Sequence, residues 1–193
     1  SKLKTQTSLL LWVSRNQSTL LSTLYPFTPM RPQRIEPQLG QESVWDYPRP
    51  PALDDCTKRI QIIFNDVVIV DTQGAKRVLE TSHPPTYYLP PADVQMQYLQ
   101  PTPRSSFCEW KGAAKYFTLT VGDRTVENVA WCYPTPTAKF AEIRDYLAFY
   151  CAAMDRCLVG DEVAQPQPGG FYGGWVTSDV VGPFKGEPGT WGW

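Results

Sequence analysis

The sequence has little of what metal sites are built from. Its 193 residues contain one histidine, His83, and five cysteines that form no CxxC pair. A structural zinc site needs four Cys or His ligands at short, paired spacings, so we expect no zinc. The isolated acids Glu80 and Asp46 lie in no DxD, ExxH or paired-acid spacing, so we expect no other metal and no cofactor. An odd number of irregularly spaced cysteines is typical of reduced thiols, which predicts a cytoplasmic location.

Charge is also scarce. Charged residues make up 19% of the chain, and the formal net charge is −1. Proteins that bind nucleic acid neutralise its phosphates with an excess of basic residues, so nucleic acid is not an expected partner. No apolar run reaches the roughly eighteen residues that a membrane span needs, so we expect no membrane partner either. P-loop, dinucleotide-binding and nucleophile-elbow motifs are missing from the sequence as well.

Aromatic residues, proline and glycine are abundant instead. The chain has 19 prolines, 13 glycines and 13% aromatic residues, and these alternate with β-branched segments. This pattern predicts a mainly β fold with many turns. Residues 58–72 and 113–134 are typical of β-hairpins, with turns at Asn65-Asp66 and Gly122-Asp123. We also expect short strands at 86–90 and 94–101, and one short helix from about residue 135 to about residue 145.

The composition divides the chain into four parts: an N-terminal extension at 1–29, an extended strap at 30–57, a β domain at 58–160 and an aromatic Gly/Pro-rich tail at 161–193. The extension contains no acidic residue and is rich in Ser, Thr and Leu. It suits a targeting segment, a stretch translated upstream of Met30, or an amphipathic arm; a transit segment would place the protein in the plastid stroma. The tail is too apolar for a solvated linker, so we expect it to dock on the domain, on another protein or on a second copy of the chain.

Three residues are the first candidates for chemistry. His83 has the only side chain whose ordinary pKa lies near neutrality, so it is a candidate general base or a histidine that serves a turn. Cys108 is a candidate nucleophile or a buried thiol. Lys111 precedes Gly112 and could bind an anion, or lie over Trp110. In "WCY", Trp131 and Tyr133 share one face of a strand and Cys132 points the other way, so the two rings could form the floor of a pocket or belong to the core.

The segments "VWDYPRPP", "VLETSHPPTYYLPPADV", "CEWKGAAKYF", "VAWCYPTP" and "IRDYLAFY", in this order, resemble the domain of unknown function 427 family, in the form found in oxygenic phototrophs. The similarity covers roughly residues 42–160. It implies a compact two-sheet fold of the β-tent type, with a ligand cleft lined by aromatic residues. The CxxC zinc pairs of other β-tent proteins are absent here, and so is the acidic pair that the family's nucleotidyltransferase-like label would require. The motif residues that the resemblance points to as a ligand site, beside His83 and Cys108, are Trp45, Tyr47, Arg49, Glu80, Tyr87, Tyr88, Trp110, Lys111, Trp131 and Tyr133.

The first functional hypothesis is therefore a domain that binds an unknown small molecule. Its aromatic walls would hold a planar or apolar group, Lys111 and Arg49 would meet an anionic group, and His83 would transfer a proton if the protein is an enzyme. This hypothesis requires His83 and Lys111 to lie in one concave site. The alternatives are an interaction module or homo-oligomer built through the aromatic tail, and a thiol role for Cys108 with Cys132. The sequence leaves open whether there is any catalysis.

Overall fold

The structure is a computed structural model that describes residues 32–193. The interpretations of residues 1–29 concern a segment outside this range. The strands are β1 (Glu42–Ser43), β2 (Ala52–Asp55), β3 (Ile60–Phe64), β4 (Val67–Thr72), β5 (Lys76–Leu79), β6 (Thr86–Tyr88), β7 (Leu99–Cys108), β8 (Gly112–Val121), β9 (Arg124–Cys132), β10 (Ala148–Phe149), β11 (Arg156–Val159), β12 (Glu162–Val163), β13 (Gln165–Pro166), β14 (Trp175–Val176) and β15 (Val180–Val181). Short 3₁₀ helices span Pro91–Asp93, Met96–Tyr98, Ala138–Ile143 and Cys151–Ala153.

Both predicted hairpins form. In β3, Ile60, Ile62 and Phe64 are fully buried and alternate with the half-buried Gln61 and Ile63. β3 pairs with β4 through a turn whose two central residues, Asn65 and Asp66, have φ of 49° and 60°. Asparagine and aspartate tolerate this left-handed region better than other non-glycine residues, which suits a two-residue hairpin turn. β8 and β9 form the second hairpin around Gly122-Asp123.

A long edge strand was only partly predicted. The sequence indicated a brief strand at 94–101, but residues 96–98 form a 3₁₀ turn and β7 runs on to Cys108. Pro101 and Pro103 lie inside β7 and cannot donate to a strand ladder. The sheet order β10-β9-β8-β7 explains how the prolines are accommodated, because β7 is an edge strand with only one neighbour.

The predicted helix is present but shorter and tighter than expected. It is the 3₁₀ helix Ala138–Ile143, with non-helical backbone angles at Phe140, and it ends before Asp145. Phe140 and Ile143 are buried, so the apolar stripe did mark the inward face. The chain leaves the helix because Ala148 and Phe149 form β10 and pair with Trp131 and Ala130 of β9.

The fold is mainly β, as predicted, and is built on two four-stranded antiparallel sheets. One has the order β10-β9-β8-β7 and the other β12-β11-β3-β4. Residues of both sheets meet in the main apolar core, which includes Ile62, Phe64, Leu119 and Ala130. A three-stranded sheet, β2-β5-β6, contributes to a second apolar cluster, on the opposite face of β8 and β9. Residues 32–193 form one compact unit.

The C-terminal segment is part of this unit. β14 pairs with β13, and β15 pairs in parallel with β1. Trp175 is fully buried in the main core, and its indole Nε1 donates to the Phe149 carbonyl oxygen at 3.0 Å. Its backbone N–H donates to the Pro85 carbonyl oxygen at 2.9 Å. These bonds hold the residues around Trp175 against the chain that follows His83.

Among residues 32–193, no helix reaches the length and apolarity that a bilayer span requires.

Candidate functional site

A groove of about 540 Å³ lies on the face of β8 and β9 that points away from the main core. Its volume is within the range of small-molecule sites. β5 and β6 form the facing wall with Val78, Thr86 and Tyr88, and residues of the C-terminal segment complete it. The aromatic side chains that line it are Tyr88, Trp110, Tyr116, Trp131, Tyr133, Tyr150, Phe107, Phe171 and Tyr172.

Strand alternation decides which rings reach the groove. Trp131 and Tyr133 lie in the groove cluster, while Cys132 between them lies in the main core. The predicted division of "WCY" between two faces is therefore confirmed. The same alternation in β6 places Tyr88 in the groove and Tyr87 in the core, where Tyr87 packs against Trp175 with ring centroids 5.2 Å apart.

The strand register gives the groove two ends. Tyr88 packs near Tyr133, with centroids 6.2 Å apart, and this end of the groove includes Lys111. Tyr116 pairs with Trp131, five residues further along β8 from Lys111. At about 3.3 Å per residue, the backbone of Lys111 lies about 16 Å along the chain from that of Tyr116. The Lys111 ammonium itself lies near Tyr133, which follows Trp131 by two residues. His83 belongs to the Tyr116–Trp131 end, because it packs against Tyr172, whose neighbour Gly173 contacts Trp131.

Lys111 is positioned by the tight turn between β7 and β8. Gly112 follows it with φ of 100°, a conformation that favours glycine. The Lys111 carbonyl accepts from the Thr137 backbone N–H at 3.2 Å, and the Thr137 hydroxyl donates to the Trp110 carbonyl at 2.7 Å. The turn is thus tied to the chain leading into the 3₁₀ helix.

The Lys111 side chain is only 8% exposed, yet it contacts aromatic rings rather than an acid. Its Nζ lies 5.8 Å from the centre of the Tyr133 ring and 5.7 Å from that of Phe140. Within residues 32–193 no carboxylate lies within 4 Å of this ammonium, and no side-chain hydrogen bond is formed by it. In the described residues, Ser82 Oγ is the only fully buried side-chain polar atom without a partner, so Lys111 Nζ is open to water from the groove.

His83 is held as a neutral acceptor. Its Nδ1 lies 3.0 Å from the Thr81 carbonyl oxygen, which can only accept, so Nδ1 carries the proton and Nε2 keeps its lone pair. Burial lowers the pKa of His83 below its usual 6.5, and the nearby Lys185 and Arg49 act in the same direction against Glu80. The ring stands edge-on to Tyr172 with centroids 4.7 Å apart.

The C-terminal segment supplies one wall of the groove. A Cβ on Gly173 would lie 2.1 Å from Cη2 of Trp131, so the backbone packs directly on the edge of this indole. The Gly174 backbone N–H donates to Oε1 of Gln167 at 3.2 Å, and Nε2 of Gln167 donates to the Lys185 carbonyl at 2.8 Å. The wall is therefore braced from behind by a buried amide.

Cys108 lines the groove and is half-buried. The other four cysteines are buried, and burial raises the pKa of Cys132 to about 11. Cys132 points into the main core, on the opposite face of the sheet from Cys108. This separation counts against the thiol hypothesis, which needed the two cysteines to act together.

Eight of the predicted site residues share the groove: Glu80, His83, Tyr88, Cys108, Trp110, Lys111, Trp131 and Tyr133. His83 and Lys111 therefore lie in one concave site, as the ligand-binding hypothesis required, although at different ends of it.

Four others do not line the groove. Trp45 packs on Trp193 and donates its indole N–H to the Pro183 carbonyl at 2.9 Å. Tyr47 donates its hydroxyl to Glu42 at 2.8 Å, and Tyr87 is buried in the core. Arg49 lies behind Glu80, with its Nε 3.3 Å from the carboxylate, and donates to the Thr81 carbonyl. Each of these four side chains makes its contacts in the strap, the tail or the core, and so stabilises that part of the fold.

Several residues that line the groove were not predicted from the sequence. Alternation in β8 could have identified Tyr116, which pairs across the strands with Trp131. Arg104, Ser106 and Tyr150 also line the groove, but they come from an edge strand and a connection that were not predicted. No local pattern marks Gln167, Tyr172 or Lys185, because only the path of the tail brings them here.

Comparison with known families places part of the chain in a family. A family model described as "Domain of unknown function (DUF427)" matches residues 52–160. Comparison with curated proteins gives no significant match. The matched range contains Lys111 and His83 but ends before Lys185.

Proposed function

The chain belongs to the DUF427 family, whose description names no activity, and we propose from the groove that it binds a small planar or apolar molecule through an anionic group. The observation that carries this proposal is Lys111, a largely buried residue whose ammonium lies over aromatic rings at the groove with no carboxylate partner in the described residues. A bound carboxylate or similar anion would supply that partner.

The rest of the groove suits the body of such a ligand. Tyr88, Trp131 and Tyr133 offer ring faces and edges for a planar group. The groove is also cationic relative to the whole chain. Its lining contains three Lys or Arg residues, Arg104, Lys111 and Lys185, against the two acids Glu80 and Glu109. Glu80 is already matched by Arg49, which lies outside the lining. The net excess favours an anion in a protein whose formal net charge is −1.

His83 gives the site a group that can accept a proton. Its Nε2 lone pair is available, and the lowered pKa keeps the ring neutral at neutral pH. Catalysis would need a ligand whose acidic group reaches this end of the groove while its anionic group contacts Lys111. Arg49, predicted to share the anion with Lys111, is engaged by Glu80 and Thr81 instead, so the proposal assigns the anion to Lys111.

Isothermal titration calorimetry with a matched pair of probes tests the proposal. Naphthalene-2-carboxylate and naphthalene-2-carboxamide differ in charge but have the same ring. We expect the carboxylate to bind at least about tenfold more tightly, because a charge-assisted hydrogen bond to an ammonium contributes about 1.5–3 kcal/mol. Lys111→Met should remove this preference.

Lys139→Met is the matched control, because Lys139 is exposed and its Nζ lies 5.9 Å from the centre of the same Phe140 ring. It should leave the preference unchanged. Equal affinities for the two probes in the wild-type protein would refute the proposal, and so would a preference that survives Lys111→Met.

An interaction module remains a second candidate, because two rings at the mouth of the groove are open to solvent. Phe171 is 65% exposed and Trp191 60% exposed, with centroids 6.4 Å apart. Removal of the whole tail would take out the core residue Trp175, so the sharper variant is Phe171→Ser with Trp191→Ser. Self-association through this patch predicts a larger hydrodynamic radius in the wild type than in the double variant by size-exclusion chromatography. Identical monomers would exclude it.

A further inference from the structure

We infer that Cys151 and Cys157 form a redox-active dithiol, which hydrogen peroxide oxidises to a disulfide bond. The sequence pointed only to Cys108 with Cys132 for a thiol role, and the structure places those two on opposite faces of a sheet. The new pair lies in the main core, so it does not depend on the ligand of the groove. Its evidence is the contacts between the two residues, their burial and a small cavity beside one of them.

Cys151 and Cys157 meet at Ala164. The thiol of Cys151 donates to the Ala164 carbonyl oxygen, with Sγ and oxygen 3.4 Å apart. The Ala164 backbone N–H donates to the Cys157 carbonyl oxygen at 2.8 Å. The two thiols are also hydrogen-bonded to each other. Because the side chains are already in contact in the reduced protein, a bond between the two sulfur atoms requires little movement of the backbone.

The chain between the two cysteines is fixed at both ends. Cys151 begins the 3₁₀ helix Cys151–Ala153. The Asp155 backbone N–H then donates to the Ile63 carbonyl oxygen at 3.0 Å, and this bond returns the chain to the sheet just before Cys157 in β11. The helix and the strand therefore hold the two thiols against each other, rather than leaving them on a loop that could separate them.

The two thiols differ in their access to solvent. Cys157 is 1% exposed and lies in the core. Cys151 lines a second cavity, of about 190 Å³, between its 3₁₀ helix and the tail, together with Tyr150, Pro166 and Tyr172. Such a cavity has room for hydrogen peroxide, which is little larger than water. Cys151 is therefore the thiol that meets the oxidant, and Cys157 is the thiol that closes the disulfide.

The order of reactivity agrees with this division of roles. The hydrogen bond from the Cys157 thiol lowers the pKa of Cys151, whereas burial raises the pKa of Cys157. The thiolate is the form of cysteine that attacks a peroxide. Cys151 is thus the more readily ionised thiol of the two.

The reaction consumes one peroxide for each disulfide. The Cys151 thiolate attacks one peroxide oxygen, so that an S–O bond forms and the O–O bond breaks. The hydroxide that leaves takes up the proton lost by Cys151 and becomes water. The sulfur of Cys157 then attacks Sγ of the sulfenic acid, an S–S bond forms, the S–O bond breaks, and a second water leaves with the proton of Cys157. The two sulfurs together lose two electrons, which reduce the peroxide.

Peptide mapping of the full chain after peroxide treatment tests the inference. Free thiols are blocked with N-ethylmaleimide in urea before digestion. Trypsin cleaves after Arg156, so Cys151 and Cys157 fall in different peptides. We expect mass spectrometry to find these two peptides joined, with a mass lower by two hydrogen atoms than their sum, and dithiothreitol should separate them. Blocking of the two cysteines should fall by the same fraction, because each disulfide consumes one of each.

Two variants and an internal reference complete the test. Cys108→Ser is the matched control, because Cys108 is a half-buried thiol in the groove, and it should leave the joined peptides unchanged. Cys157→Ser removes the second thiol, so Cys151 should stop at the sulfenic acid and react with dimedone. Oxidation of Cys108 in the wild type shows that the peroxide was active. If Cys151 and Cys157 are then still fully blocked, or if Cys151 becomes a sulfinic acid without joining Cys157, the inference is wrong.

Discussion

Replacement of Lys111 by methionine should make the protein more stable while it loses its ligand. Methionine has a similar length and volume, so the ring contacts around the side chain persist without the charge. The change removes two cation–π contacts, at 5.8 Å to Tyr133 and 5.7 Å to Phe140. Both lie near the distance limit for this interaction, so together they contribute about 1 kcal/mol.

The free energy that the folded protein gains by losing a poorly hydrated charge is larger than this loss. The Lys111 residue is only 8% exposed and has no acidic partner in the described chain, so its ammonium loses part of its hydration. This costs several kcal/mol for a fully buried ion, of which we assign about 2 kcal/mol here, because the groove still admits water to Nζ. The net expectation is a gain of about 1 kcal/mol in the free energy of unfolding, or about 3 °C in Tm for a domain of this size.

Urea denaturation and differential scanning calorimetry of the unliganded proteins will measure this gain. Lys139→Met, on the exposed side of Phe140, should change the stability by less than about 0.5 kcal/mol. Naphthalene-2-carboxylate should raise the Tm of the wild type and of Lys139→Met but not that of Lys111→Met. A loss of about 1 kcal/mol or more in Lys111→Met would refute the reasoning, because it would show that the ammonium serves the fold.

Three further predictions concern other parts of the groove. Gly173→Ala would place a methyl 2.1 Å from Trp131, so it should lower the free energy of unfolding, measured by urea denaturation, by about 1–3 kcal/mol. Gly192→Ala is the control, because its methyl would meet no atom within 4 Å and should leave the stability nearly unchanged. Equal effects of the two substitutions would contradict the close packing of Gly173 on Trp131. Iodoacetamide should modify Cys108 first in the folded protein, because the other four cysteines are buried, and peptide mass spectrometry that finds equal labelling would oppose this assignment. Burial holds the pKa of His83 below 6.5, so the unfolded chain takes up a proton before the folded protein does as the pH falls. The free energy of unfolding should therefore drop from about pH 7 to about pH 5, and His83→Gln should flatten that drop. Parallel profiles of stability against pH for the wild type and the variant would show that His83 is not the cause.

Strand alternation carried the sequence-based predictions that proved correct. The period of two in β3 and β8 identified both hairpins, and in "WCY" it separated Trp131 and Tyr133 from Cys132. A side chain's face follows from its own strand, so local sequence contains that information. Two adjacent tyrosines, Tyr87 and Tyr88, could have been separated by the same rule.

Long-range contacts determined what the sequence did not reveal. Pro101 and Pro103 argue against a strand unless its place at the sheet edge is known. The apolar stripe through Phe140 and Ile143 fits an α-helix, but pairing of β10 with β9 limits the segment to a 3₁₀ turn. Lys185 joins the groove only because residues 165–185 fold back over Trp131 and His83, and no short pattern predicts such a path.

The segment around His83 both forms a tight turn and places a hydrogen-bond acceptor in the groove. Ser82 adopts φ of 70°, and the His83 backbone N–H donates to the Glu80 carbonyl at 2.9 Å, so the segment is a tight turn. The same turn fixes Nδ1 on the Thr81 carbonyl and leaves Nε2 as an acceptor in the groove. A histidine held in this way suits either the acceptance of a ligand hydrogen bond or the transfer of a proton.

A crystal structure of the protein soaked with naphthalene-2-carboxylate tests the central proposal most directly. We expect the carboxylate within about 3 Å of Lys111 Nζ, with the naphthalene rings against Tyr133 and Trp131. Density for the probe with its carboxylate turned to solvent, or a probe bound elsewhere while the groove holds only water, would contradict the assignment of Lys111 as the anion-binding residue.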